Sequence, residues 1–380
     1  MKLALLTLPL HSNYGGILQA YALQTVLERM GHKVVIVNLP IRKESRKIVF
    51  STYLKRFVGK YFLFRQKPLR AWPTKNERNI INQFTNQFIK CNLAIIECKN
   101  ISYLYDLTMK QKFDGYVVGS DQIWRLGYTP DIFTYFLDFL ESVPLRKIAY
   151  AASFGIDNWE LTEQQTLKCE KLIQKFHAIS VREDSGVALC KKYLKSNATH
   201  VLDPTLLLRK EDYISLLPFK CKKISRPELM VYILDKNEFN KDIVAKIAKR
   251  RNLLINSVSA EAKFWNVGKA HLEKCIVPPL EKWIEGFIKA DFVITDSFHG
   301  TVFAILFHKP FLSIINSTRG STRFISLLKL LQLEDRIIKP SDKLDIQNID
   351  CFIDYDKVET LLLKAKESSL HFLQCALMEN

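Results

Sequence analysis

Short apolar runs alternate with longer stretches of helical periodicity along most of the chain. Residues 3–8 read as a buried strand, and residues 17–30 as a helix with Leu18, Tyr21, Ala22, Thr25 and Leu27 on its inner faces, ended by Gly31. Valine-rich residues 33–38 follow as a second strand. Together they make a βαβ opening whose first turn, residues 9–16, contains Gly15 and Gly16. That turn is not GxGxxG, so it carries no dinucleotide fingerprint. The two glycines either let backbone approach a ligand or serve only the turn. After helical material around residues 77–89 come strands at 113–119, 147–152 and 178–181, with helices at 161–176 and 184–194. The pattern breaks at Asp203-Pro204 and resumes. The second half predicts strands at 229–234, 253–257, 290–295 and 311–315. Its helices fall at 239–249, after Pro278-Pro279 through 289, at 302–308 and 324–331, and from about 356 onward.

This alternation predicts an α/β fold of two Rossmann-like lobes facing a cleft. The N-terminal lobe covers residues 1–203, with a basic helical insertion at about 42–110, and the C-terminal lobe covers 204–380 with closing helices. One large sheet with an insertion is the alternative. In either arrangement the informative residues sit where strands end, because open α/β sheets bind ligands outside the carboxyl ends of their strands. Ser120 and Asp121 follow one strand and either cap a helix or face the cleft; Ser153 follows another. Arg182 ends a third, where its guanidinium reaches a carboxylate or phosphate in two-point contact, or pairs with Glu183, Asp184 or a distant carboxylate. The most concentrated turn is Asp296-Ser297-Phe298-His299-Gly300-Thr301, between an apolar strand and an apolar helix. Either Asp296 and Ser297 merely cap that helix and His299 fills a polar gap, or His299 donates a proton or holds an anion there. A second turn of the same kind, residues 316–323, holds Arg319 and Arg323. Arginines beside helix starts suit an anionic ligand.

Composition narrows the classes. The chain has 380 residues, 48% hydrophobic and 25% charged, enough for a core that needs no staples. Eight cysteines lie scattered without CxxC spacing, which reads as reduced thiols in a cytoplasmic protein, and the apolar start is too short for a signal core. No apolar run reaches membrane-span length. Neither HExxH nor a carboxylate cluster points to a metal, and GxSxG and GxxxxGKS are absent. The net charge of +17 is uneven: residues 42–75 hold eleven Lys/Arg against one acid, Glu44, together with Phe57, Tyr61, Phe62, Phe64 and Trp72. This segment either lies against an anionic membrane surface or forms a solvated helical excursion. Nucleic acid is disfavoured, since no binding motif accompanies the charge.

An ordered set of short motifs resembles the polysaccharide pyruvyl transferase family. It comprises Asn13-Tyr14-Gly15-Gly16-Ile17-Leu18-Gln19-Ala20-Tyr21-Ala22-Leu23, Gly119-Ser120-Asp121-Gln122-Ile123-Trp124, Ser153-Phe154-Gly155, Ser180-Val181-Arg182, Leu202-Asp203-Pro204-Thr205 and Asp296-Ser297-Phe298-His299-Gly300. The resemblance implies a GT-B-like fold, with phosphoenolpyruvate as co-substrate and no other cofactor or metal. It also implies a pyruvate ketal on a sugar of a cell-surface polysaccharide or its lipid-linked precursor. Catalysis would fall to His299 as general acid and to Arg182 as a holder of the donor's anionic groups. Asn13, Gly15, Gly16, Ser120, Asp121, Ser153, Asp296 and Ser297 would meet substrate, and Asp121 or Asp296 would serve as base. Better-known members carry an arginine two residues before the late histidine; here that position is Ser297, and Arg319 or Arg323 would replace it. The implied location is the cytoplasm, with peripheral contact at the inner membrane face through residues 42–75. Two alternatives remain: a nucleotide-sugar glycosyltransferase of GT-B type, and a non-catalytic polysaccharide- or membrane-surface-binding protein. The first commonly places a carboxylate in the late helix after the histidine, and residues 299–308 contain none.

Overall fold

In the computed structural model the apolar runs become strands of two wholly parallel sheets; the structure describes residues 1–41, 44–64, 67–218, 226–315, 320–339 and 352–378. The first sheet contains β1 (Lys2–Leu6), β2 (Lys33–Asn38), β3 (Ile95–Glu97), β4 (Gly115–Asp121), β5 (Arg146–Ala152), β6 (Ala178–Val181) and β7 (Thr199–His200), in the order β3-β2-β1-β4-β5-β6-β7. The second contains β8 (Glu228–Tyr232), β9 (Leu254–Ser257), β10 (Phe292–Thr295), β11 (Phe311–Ile314) and β12 (Ile337–Ile338), in the order β12-β11-β10-β8-β9. Both faces of the central strands are covered, which is why β4 and β10 are buried at every position and read as continuous apolar runs.

In a parallel sheet that is wound both ways, a crevice opens where the strand order reverses. The first sheet reverses between β1 and β4, the second between β8 and β10. These two crevices are lined by the segments that follow the four strands.

The helix Tyr14–Arg29 packs Ile17, Leu18, Leu23 and Leu27 under the first sheet. Those side chains share one apolar core with Trp283, Phe298, Val302 and Phe303 from the second half of the chain. Tyr14 secures the seam, donating from its hydroxyl to the Pro278 carbonyl at 2.6 Å. The long helix Tyr355–Leu377 begins beside the second sheet, where the Tyr355 hydroxyl donates to the Lys309 carbonyl. It ends against the first, where Phe372 meets the Tyr150 ring and Leu202 N–H donates to Ser369 Oγ at 3.0 Å.

Several local expectations change. Residues 15 and 16 lie inside the helix that starts at Tyr14, not in the preceding loop. Ser120 and Asp121 belong to β4, and the chain then enters a turn, not a helix they could cap. The helix after β10 starts at Phe298, so His299 stands in its first turn. Within the insertion read as helical, Ile95–Glu97 pairs with β2 as the edge strand β3; three residues are too short for a periodicity to register. Residues 316–319, including Arg319, lie outside the described residues. No helix among the described residues is long and apolar enough to cross a membrane.

Candidate active site

The two crevices meet in one cavity of about 470 Å³. Its walls come from the segment after β1 (Leu8 to Asn13, with Gly16), the end of β4 (Asp121, Gln122), the end of β8 (Tyr232, Leu234), the turn after β10 (Asp296 to His299) and the helix start at Arg323 and Phe324. Of the residues singled out from sequence, Asn13, Gly16, Asp121, Asp296, Ser297, His299 and Arg323 reach this wall. Gly15, Ser120, Ser153 and Arg182 stand behind it and do other work.

His299 is held by both halves of the chain. Ser297 caps its helix, with Oγ accepting from Gly300 N–H at 3.4 Å. The ring packs over the Gly15 backbone so closely that a Cβ there would collide with Nδ1. Gly15 therefore admits a side chain of this protein, not a ligand. Nε2 is buried without a hydrogen-bond partner and lies 3.7 Å from Asp203 Oδ2, an ion-pair distance and not a hydrogen bond.

Asp203 anchors the network behind His299. Its Oδ2 accepts from Arg182 Nη1 at 2.6 Å and from Ser120 Oγ at 3.1 Å, while Oδ1 accepts from the Thr205 hydroxyl and N–H at 2.6 and 3.0 Å. Arg182 donates from Nη2 to Asp121 Oδ1 at 2.9 Å, its Nε is buried without a partner, and its side chain is fully buried. The expectation that Arg182 grips a substrate anion is thus corrected: two carboxylates already occupy its fork, and it does not line the cavity. Burial alone would raise the Asp203 carboxyl, but His299, Arg182 and Thr205 hold it well below the usual range. Asp121 is likewise lowered against its burial, by Arg182, His299 and Arg323. Both carboxylates are therefore ionised at neutral pH and poorly suited to accept a proton.

Arg323 contributes a guanidinium to the wall itself. Burial, then the nearby charge of Arg182, push it down to about 10, which leaves it a cation at neutral pH. The two guanidinium carbons lie 5.1 Å (Arg182) and 5.4 Å (Arg323) from the centroid of the Phe298 ring, so both cations meet the same aromatic side chain.

Asp296 braces its own turn to the second sheet: Oδ1 accepts from Leu234 N–H at 2.7 Å and Oδ2 from Asp235 N–H at 2.8 Å. Ser153 donates to Glu183 Oε1 at 3.0 Å, and the same oxygen accepts from the Phe154 and Gly155 N–H groups. Glu183 is thus the organiser of the loop after β5, a role sequence reading gave only as a partner for Arg182. Asp203, read as a boundary residue, is the hub of the network. His11 on the cavity wall was missed altogether, although its place beside Ser12 and Asn13 was a signal. Burial and then Arg78 lower its pKa, favouring neutral imidazole. Among the described residues no cluster of His, Cys, Asp and Glu could hold a metal ion.

Comparison with known proteins places this geometry. No curated protein sequence matches the chain. Among solved structures, Arabidopsis thaliana UGT89C1 complexed with UDP-L-rhamnose aligns over 98% of this chain and 97% of its own, with 10% identity and a TM-score of 0.53. The UDP-GlcNAc 2-epimerase of Neisseria meningitidis bound to UDP-GlcNAc aligns over 100% and 95%, with 13% identity and a TM-score of 0.46. S. aureus MnaA with UDP aligns over 98% and 90%, with 12% identity and a TM-score of 0.49. At 10% identity the likeness to the first of these is one of fold alone, the GT-B arrangement expected from the sequence. The family described as polysaccharide pyruvyl transferase matches residues 13–318, most of the chain, and the chain belongs to that family.

Proposed function

We propose that this protein transfers the pyruvyl group of phosphoenolpyruvate to a sugar of a cell-surface polysaccharide or its lipid-linked precursor, forming a ketal. The observation that carries the reading is His299, a buried imidazole on the cavity wall 3.7 Å from an ionised carboxylate, in a chain of this family. An imidazole is the side chain suited to carry and give up a proton near neutral pH. His299 gives that proton to the methylene carbon of the enol phosphate, which leaves the central carbon electrophilic. One sugar hydroxyl adds there and returns its proton to the imidazole; a second displaces phosphate, which departs with the second proton. On this reading neither Asp121 nor Asp296 is needed as the base, in keeping with their hydrogen-bonded oxygens.

Arg323 is the cation for the donor's carboxylate or phosphate, standing in for the arginine that Ser297 lacks. Arg182 acts through others: it fixes Asp121 and Asp203, and Asp203 in turn faces His299. Phosphate release with a sugar acceptor tests the chemistry. His299→Ala should lower turnover about 10²–10⁴-fold with the fold intact; turnover near that of the unaltered protein would remove the role. Calorimetry with phosphoenolpyruvate beside a panel of nucleotide sugars tests the donor, and saturable binding of a nucleotide sugar alone would move the reading to glycosyl transfer.

A further inference from the structure

The basic excursion carries an outward face that no described residue covers. Its helix, Arg46–Tyr61, turns only Arg56 and Gly59 fully inward, with Thr52 half-buried beside them. These positions share one stripe of the helix. Along it Arg56 lies over the Trp265 ring at 4.1 Å and donates to the Pro68 carbonyl at 2.8 Å. Phe50, Leu54, Phe57 and Tyr61, spaced four, three and four residues apart, occupy the opposite stripe. Phe50 is 69% exposed and Leu54 52%, and the run continues into Phe62, Leu63 and Phe64, the last 87% exposed. A soluble surface seldom strings so many large apolar side chains together without a partner.

Charge identifies the partner. Residues 45–64 contain no acid, and Arg46, Lys47, Lys55 and Lys60 are all exposed along the same helix. A second copy of this face would bring like charges together. An aromatic and aliphatic stripe bordered by lysines and arginines suits the boundary between acyl chains and anionic headgroups. We infer that the Arg46–Tyr61 helix and residues 62–64 lie in the headgroup layer of an anionic phospholipid bilayer, with Phe50, Leu54, Phe57 and Tyr61 entering the acyl boundary.

The attachment of this helix gives the contact a purpose. Trp72 meets Trp265 edge-on at 5.3 Å, and Arg70 lies 5.4 Å from the Phe264 ring. Phe264 lines a second hollow of about 360 Å³ that shares His11, Ser12 and Ile41 with the catalytic cavity. The second hollow thus adjoins the catalytic cavity at these three residues, and an acceptor sugar on a lipid carrier would enter through it. That last clause rests on the proposed reaction; the membrane contact does not.

Sedimentation of the full chain with phosphatidylglycerol–phosphatidylcholine vesicles, and with phosphatidylcholine alone, tests the inference. Binding should require the anionic lipid and weaken at high salt, and each of Lys47→Ala and Lys60→Ala should weaken it about fivefold. Phe50→Glu/Leu54→Glu, at exposed positions and with unchanged circular dichroism, should reduce it tenfold or more. Equal binding to both vesicle types, or undiminished binding by the double variant, would overturn the inference. So would a soluble dimer that ignores vesicles and that the double variant converts to monomer. None of these outcomes depends on pyruvyl transfer, which phosphate release measures separately.

Discussion

Arg182 shows how far a single residue can be read before its partners are known. Its place at the end of β6 is legible in sequence, but its role is set by Asp121 and Asp203, which lie on other strands' ends and only meet it through the sheet order. A buried pair of this kind adds little when complete and costs heavily when one member is removed. Arg182→Met should therefore destabilise the chain by about 3–5 kcal/mol in chemical denaturation, because two buried carboxylates lose their cation. Adding Asp121→Asn and Asp203→Asn should recover much of that loss; no recovery would mean that packing, not charge, holds the site. The sign of the pH dependence comes from the same groups. Both carboxyls lie below their ordinary values in the folded chain, so they contribute stability above an unfolded pKa of about 3.9 that is lost as pH falls through their folded values. Acid titration of the midpoint should show this fall in the unaltered protein and a shallower one in Arg182→Met.

At the scale of elements, the strands were the most legible part. β2 and β6 fall where the apolar runs placed them, because a parallel strand buried on both faces needs no partner to be recognised. Helix starts were less legible. The Tyr14–Arg29 helix begins before its two glycines, since glycine reads as a turn unless a close neighbour explains it. That neighbour is His299, some 280 residues away in sequence, and no local pattern could announce it. The consequence is testable. Alanine favours a helix interior over glycine by about 1 kcal/mol, yet a Cβ at position 15 would strike the imidazole. Gly15→Ala should thus lower turnover toward that of His299→Ala, with stability changed far less than activity; Gly31→Ala, where a Cβ meets nothing but the backbone is left-handed, should show the reverse. Activity retained in Gly15→Ala would mean that the ring position in the free protein is not the working one. The same long range hid Asp203: its motif was visible, but its function as hub depends on Arg182, Ser120 and His299 converging on one carboxylate.

At the scale of the molecule, the cavity belongs to neither sheet alone, and a ligand filling it must touch both. A donor held between Arg323 and the segment after β1 would add its binding free energy to the stability of the native chain, about 2.7 kcal/mol at a hundredfold excess over Kd. Saturating phosphoenolpyruvate should accordingly raise the thermal midpoint by a few degrees. Arg323 gives this measurement its sharpest form. Burial and then the charge of Arg182 work against its cation in the free protein more than the carboxylates of Asp121 and Glu183 favour it, so the fold on balance disfavours the charged form. Arg323→Met, which keeps the bulk of the side chain, should leave the ligand-free midpoint unchanged or raise it, while abolishing the shift with phosphoenolpyruvate. A ligand-free midpoint lowered by several degrees would instead make Arg323 a structural member of the Asp121–Arg182 network, and the donor's cation would have to be sought elsewhere on the cavity wall.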